Sequence, residues 1–142
     1  MITQLLYISK HDGKFVAELE NFMPNIRVKN SEANISSILL STIDHYIHLI
    51  EGTRYSVNVL YNKINKDTRH CDCTILRYVD VKHREFEMCT AEYVDMSSFN
   101  VNGINLLSPN KPINIDTITS SHAVTIIRRI HAHLQVKYLQ NS

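Results

Sequence analysis

The chain has 142 residues, with 15 basic and 14 acidic side chains and a formal charge of +1. That length predicts one domain, large enough to bury a core without a disulfide or metal staple. The balanced charge argues against an electrostatic hold on nucleic acid or an anionic membrane, and no apolar stretch is long enough to span a bilayer.

Gly13, Gly52 and Gly103 are the only glycines. They lie too far apart for a phosphate-cradling loop or a dinucleotide turn, which removes the commonest nucleotide enzymes. Cys71, Cys73 and Cys89 are an odd set without a CxxC spacing, and read as reduced thiols. Met1 to Tyr7 have no basic n-region and no small-residue cleavage site. Together these features predict a cytoplasmic protein.

Residues 3–9 (TQLLYIS) read as a strand, followed by a turn at His11-Asp12-Gly13. Phe15, Val16, Leu19, Phe22, Met23 and Ile26 have helical spacing. Pro24 lies within that pattern. It offers no N–H and crowds the preceding turn, so the helix is expected to kink or to stop near Phe22. Residues 35–42 and 46–51 read as a hairpin turning at Ile43-Asp44-His45. Gly52-Thr53 opens a second helix whose Val57, Leu60, Tyr61 and Ile64 form one face. Residues 72–80 and 86–94 read as two more strands. The polar segment from Met96 to Ile118 reads as a surface loop, expected to be the most variable part in conformation. Ser120 or Ser121 then caps a last helix with an apolar stripe of Ala123, Ile126, Ile127, Ile130 and Leu134.

The order β-α-β-β-α-β-β predicts an α+β, ferredoxin-like mixed sheet with two helices on one face and the C-terminal helix on the other. Residues 1–96 would form the core. Residues 97–142 would supply a loop and a capping helix of the same domain.

Five local signals occur in order along this framework. They are Leu6-Tyr7-Ile8-Ser9 on the first strand, Asn30 closing the first helical region, His48-Leu49-Ile50-Glu51-Gly52 ending the hairpin, Asp67-Thr68-Arg69-His70 after the second helix, and Arg84-Glu85-Phe86 opening the last strand. Together they resemble the BLUF domain, a blue-light sensor built around a flavin, over residues 2–96. The resemblance implies a bound FAD or FMN lying between the two helices. Tyr7 matches the family's electron-donating tyrosine. Asn30 matches the asparagine that bonds the flavin carbonyl edge, and Arg69 the basic residue near the pyrimidine carbonyl, with His70 beside it.

His48 stands where the family places the glutamine whose amide exchanges donor and acceptor in the light-induced switch. A neutral imidazole also has one donor and one acceptor, but it has another shape and can instead take a proton. Cys89 and Ala91 replace the tryptophan and methionine of the last strand, and Asn34 and Ser37 replace glycines near the second. The chain is thus expected to be a divergent member with a degenerate photoswitch.

Each of these residues also has a plainer reading. Tyr7 and His48 fit as packed, hydrogen-bonded core residues. Asn30 fits as a helix C-cap. Arg69 and His70 suit the C-terminal end of a helix dipole. A zinc site built from His70, Cys71, Cys73 and Cys89 lacks the usual spacing and an evident fourth ligand, so no metal is expected. No oxyanion element accompanies a Cys–His pair, so no catalytic residue is assigned and no enzyme is expected.

The resemblance therefore implies a sensory module that acts through a separate protein partner, with homo-oligomerisation open. The alternative is a chromophore-free, light-insensitive interaction regulator on the same fold. Neither reading calls for nucleic acid or a membrane.

Overall fold

The computed structural model describes residues 1–96 and 114–140. Strand β1 (Ile2–Lys10) is buried along nearly its whole length, as its continuous apolar run predicts for a strand covered on both faces. A short 3-10 turn at Val16–Glu18 leads into α1 (Leu19–Glu32). Then come β2 (Ser36–Ser41), β3 (His45–Gly52), α2 (Arg54–Lys66), β4 (Cys71–Val81), β5 (Glu92–Asp95) and α3 (Ser120–Gln140). The five strands form one sheet in the order β4-β1-β3-β2-β5. β1 runs antiparallel to β3 and β4, β2 antiparallel to β3, and β5 parallel to β2. This is the mixed α+β sheet the sequence predicts.

The period of two along each strand gives the sheet two apolar faces. Leu6, Ile8, Ile38, Leu40, Ile47 and Leu49 pack on one side against Ala123, Ile126, Ile127 and Ile130 of α3, with Leu134 partly buried beside them. The α3 stripe therefore covers that face. Leu5, Tyr7, Ile35 and Ile50 pack on the other side with Val57, Leu60, Tyr61 and Ile64 of α2. Thr53 caps α2, its side chain accepting from the Ser56 amide at 3.2 Å. α3 is capped by Thr119, whose Oγ1 accepts from the His122 amide at 3.0 Å, and not by Ser120 or Ser121, which lie inside the helix.

Two other expectations need correction. Of the two outcomes open at Pro24, a kink or a stop near Phe22, the stop does not occur: the first helix continues through Pro24 to Glu32. Pro24 removes one α-helical bond, to the Glu20 carbonyl, and Glu20 is exposed, so water can satisfy that oxygen. The last strand does not begin at Phe86, and Arg84-Glu85-Phe86 lie in the connection before it. The cause is the buried side chain of Glu51. Its Oε1 accepts from the Phe86 amide at 2.8 Å, and its Oε2 accepts from the Glu85 amide and Gln4 Nε2, each at 3.0 Å. Those amides are thereby withdrawn from any ladder. Phe86 and Cys89 remain in the core beneath α3.

Cys89 is therefore not next to Cys71 and Cys73. It precedes β5 at one edge of the sheet, while they lie on β4 at the other. Most of the polar segment 97–118 lies outside the described residues. Among the described residues no helix is long and apolar enough to cross a membrane.

Candidate functional site: a slot between two helices

β1 and β3 pair so that Tyr7 sits directly opposite His48. The two side chains therefore rise on the same face, and the Tyr7 hydroxyl and His48 Nδ1 are hydrogen-bonded at 2.9 Å. Above this pair lies a cavity of about 290 Å³. One wall is Leu19 and Ile26 from α1, and the other is Leu60 and Ile64 from α2. Tyr7, Asn30, His48, Arg69 and His70, the five residues singled out from the sequence, all line it.

Burial, reinforced by the nearby His70, lowers His48 to a pKa of about 3. The resting imidazole is neutral at ordinary pH. Burial likewise pushes Tyr7 well above the usual tyrosine range, helped by Cys73 and Tyr61. The Tyr61 ring makes an edge contact with Tyr7, with centroids 5.5 Å apart.

Asn30 is not the helix cap; Ala33 is. Its Nδ2 donates to Ser37 Oγ at 3.0 Å and to the Thr90 carbonyl at 2.8 Å. A carbonyl only accepts, so the nitrogen must face Thr90. Both amide hydrogens are committed to the protein, which leaves Oδ1 as an acceptor.

His70 is anchored at the end of α2. Its Nε2 donates to the Ile64 carbonyl in the last turn of α2, and its Nδ1 pairs with Ser9 Oγ at 2.8 Å. Both nitrogens are used, so in the neutral ring Nδ1 accepts from the Ser9 hydroxyl. Arg69 forms an ion pair with Asp67, its Nε lying 2.9 Å from Asp67 Oδ1. The hydrogen bond to Arg69 holds Asp67 below its ordinary value and, reciprocally, raises Arg69. The guanidinium also sits 4.3 Å from the centroid of the Phe15 ring and 5.9 Å from that of Phe22. A cation–aromatic stack thus joins the start of α1 to the α2–β4 connection.

Tyr46 was missed in the sequence, where it reads as an ordinary strand tyrosine. It lies two residues before His48, so strand alternation puts it on the same face, and that was the available signal. It too lines the cavity. Burial, and secondarily Tyr93, push it up to about 12, with the Arg69 charge opposing. Among the described residues its buried hydroxyl has no hydrogen-bond partner.

Residues 2–92 match the family model described as BLUF, sensors of blue light using FAD. The chain is 28% identical over 97 residues to the blue light- and temperature-regulated antirepressor BluF of Escherichia coli, an alignment covering 68% of this chain and 24% of that protein. It is 32% identical over 81 residues to a photoactivated adenylate cyclase subunit beta-like protein of Euglena gracilis, covering 53% of this chain and 9% of that one. It thus spans about a quarter and about a tenth of these relatives. The dark-state structure of BlrB, a BLUF protein, superposes with a TM-score of 0.73 at 24% identity, over 93% of this chain and 96% of that one. That likeness bears on the fold.

Proposed function

The chain belongs to the BLUF family of blue-light sensors, and from that premise we propose that it is a flavin-binding sensory module that passes a change of shape to a protein partner outside these 142 residues. The observation that carries this reading is the Tyr7–His48 hydrogen bond at the floor of a slot also lined by Asn30, Arg69 and His70.

The residues suit a flat heteroaromatic ring. Leu19, Ile26, Leu60 and Ile64 offer two apolar walls for its faces. Asn30 Oδ1 offers an acceptor for a ring N–H. Nε2 of the neutral His48 offers a further polar contact. A bound flavin, FAD or FMN, would supply the absorption of blue light and, when excited, the capacity to accept an electron.

Tyr7 is the electron donor within the chain. It is protonated at all ordinary pH, and its hydroxyl already faces a neutral nitrogen base. Loss of an electron to a bound flavin would make the phenol strongly acidic, and its proton would pass along the 2.9 Å bond to Nδ1 of His48. With Tyr7 donating, the resting ring hydrogen is on Nε2, so the imidazole presents a donor to the slot. Arg69 contributes shape more than net charge, because Asp67 offsets its positive charge. The roles of these site residues are to bind the ring and to move protons.

The test is the absorption spectrum of the purified protein before and after incubation with FAD. A bound flavin spectrum is expected. A colourless protein that refuses FAD would overturn the proposal and favour the chromophore-free regulator. The observation favouring that second reading is the stack of Arg69 on Phe15 and Phe22, which ties the two walls of the slot together.

A further inference from the structure

Tyr46 carries the only buried side-chain nitrogen or oxygen without a hydrogen-bond partner among the described residues. The residue is 6% exposed and forms part of the cavity wall. Several of the polar groups around it are already engaged with other partners. Tyr93 shares its hydroxyl with Ser41 Oγ at 2.7 Å. His11, whose ring centroid lies 4.5 Å from that of Tyr46, donates Nε2–H to the Thr42 carbonyl at 2.9 Å and accepts from the Gly13 amide at 3.0 Å. His70, with its centroid 6.4 Å away, spends its nitrogens on Ser9 and Ile64. Arg69 is a donor, with its fork on Asp67.

A phenylalanine would fill the same volume without burying a hydroxyl unpaired. The hydroxyl therefore costs this chain stability in the ligand-free state and gains it nothing there. Unpaired buried polar groups of this kind occur where a ligand completes the set.

We infer that Tyr46 is a ligand-binding residue of this slot, its hydroxyl donating a hydrogen bond to an oxygen or nitrogen acceptor of the bound molecule. Under the flavin reading on which this rests, Tyr46 and Asn30 divide the labour. Asn30 presents an acceptor at the end of the slot near Ser37, and Tyr46 presents a donor at the end near Arg69 and Phe15.

The experiment compares wild type with Tyr46→Phe in two measurements. Thermal unfolding of the ligand-free proteins should show the variant unchanged or higher in Tm, by about 2–4 °C. Titration with riboflavin, followed by quenching of its own fluorescence, should show binding weaker by about five- to tenfold. A gain in stability together with a loss in affinity is a combination that a purely structural tyrosine would not give. A lower Tm in the variant would show that the hydroxyl has a structural partner and overturn the inference. So would equal affinity in a variant that binds riboflavin. A wild type that binds no flavin would instead overturn the flavin reading and take this inference with it.

Discussion

The hydroxyl of Tyr7 and Nδ1 of His48 lie 2.9 Å apart across a directly paired rung of β1 and β3. Two backbones in register hold this bond, so it does not depend on a bound molecule to form. It places a phenol and a neutral base in contact at the floor of the slot before any ligand arrives.

The first prediction concerns acid. In the unfolded chain His48 takes up a proton below its ordinary value of 6.5, whereas in the folded chain it stays neutral down to about 3. Between those values the unfolded state binds more protons, so stability is complete above pH 6.5 and falls as the pH drops. The slope from this group is at most about 1.4 kcal/mol per pH unit. Asp67, which is held low, loses its contribution at still lower pH in any variant that keeps it. Urea unfolding at pH 7, 6 and 5 should therefore show a shallower decline for His48→Gln than for wild type. Equal slopes would show that His48 is not held neutral by the fold.

A second prediction concerns light. In flavin-loaded wild type, light should oxidise Tyr7 but leave a weak or absent long-lived red-shifted state, because His48 has no carboxamide to rearrange. His48→Gln should restore part of that shift in the light-minus-dark spectrum. A full, slowly reversing shift in wild type would show that the imidazole does the work of the amide.

The Arg69 stack sets a third. Lysine keeps the charge but not the planar face over Phe15, and an exposed cation–aromatic contact contributes about 0.5–1 kcal/mol. Arg69→Lys should accelerate flavin release by about two- to fivefold, measured as recovery of flavin fluorescence on dilution. An unchanged rate would mean that the stack does not restrain the slot.

Glu51 gives the fourth. Glu51→Ala strands the buried amide of Phe86 and also removes the acceptor for the Glu85 amide and the Gln4 side chain. The Phe86 amide and the Gln4 side chain are the two buried groups, and each left unpaired costs about 1–3 kcal/mol, so the variant should lose at least about 2 kcal/mol in urea unfolding. A loss below about 1 kcal/mol would show that the connection before β5 is held by other contacts.

Elements whose apolar pattern follows a single period were legible in the sequence. The β1 run, the α2 face and the α3 stripe each announce their burial, and the register that joins Tyr7 to His48 follows from a short hairpin and a strand paired beside it. The false strand at 86–91 arose because apolar Phe86, Cys89 and Ala91 are indeed buried, but as a turn pinned by Glu51, a contact 35 residues distant in the chain. Tyr46 escaped because an unpaired hydroxyl is a property of its surroundings, and nothing local in the chain records that Tyr93, His11 and His70 are already engaged.

The docking of α3 bears on where this protein could be cut. Among the described residues, 1–96 hold the five strands and the slot residues named above, and they include the whole family match. Yet Ile38, Leu40, Ile47 and Leu49, each fully buried, have Ile126, Ile127 and Ile130 of α3 as neighbours on the far face. A fragment ending at Met96 would present that face to water as a broad hydrocarbon plate. It should clump or pair through the plate, and its colour, even if retained, would then come from an aggregate. The helix outside the recognised family segment is what covers that segment's second apolar face.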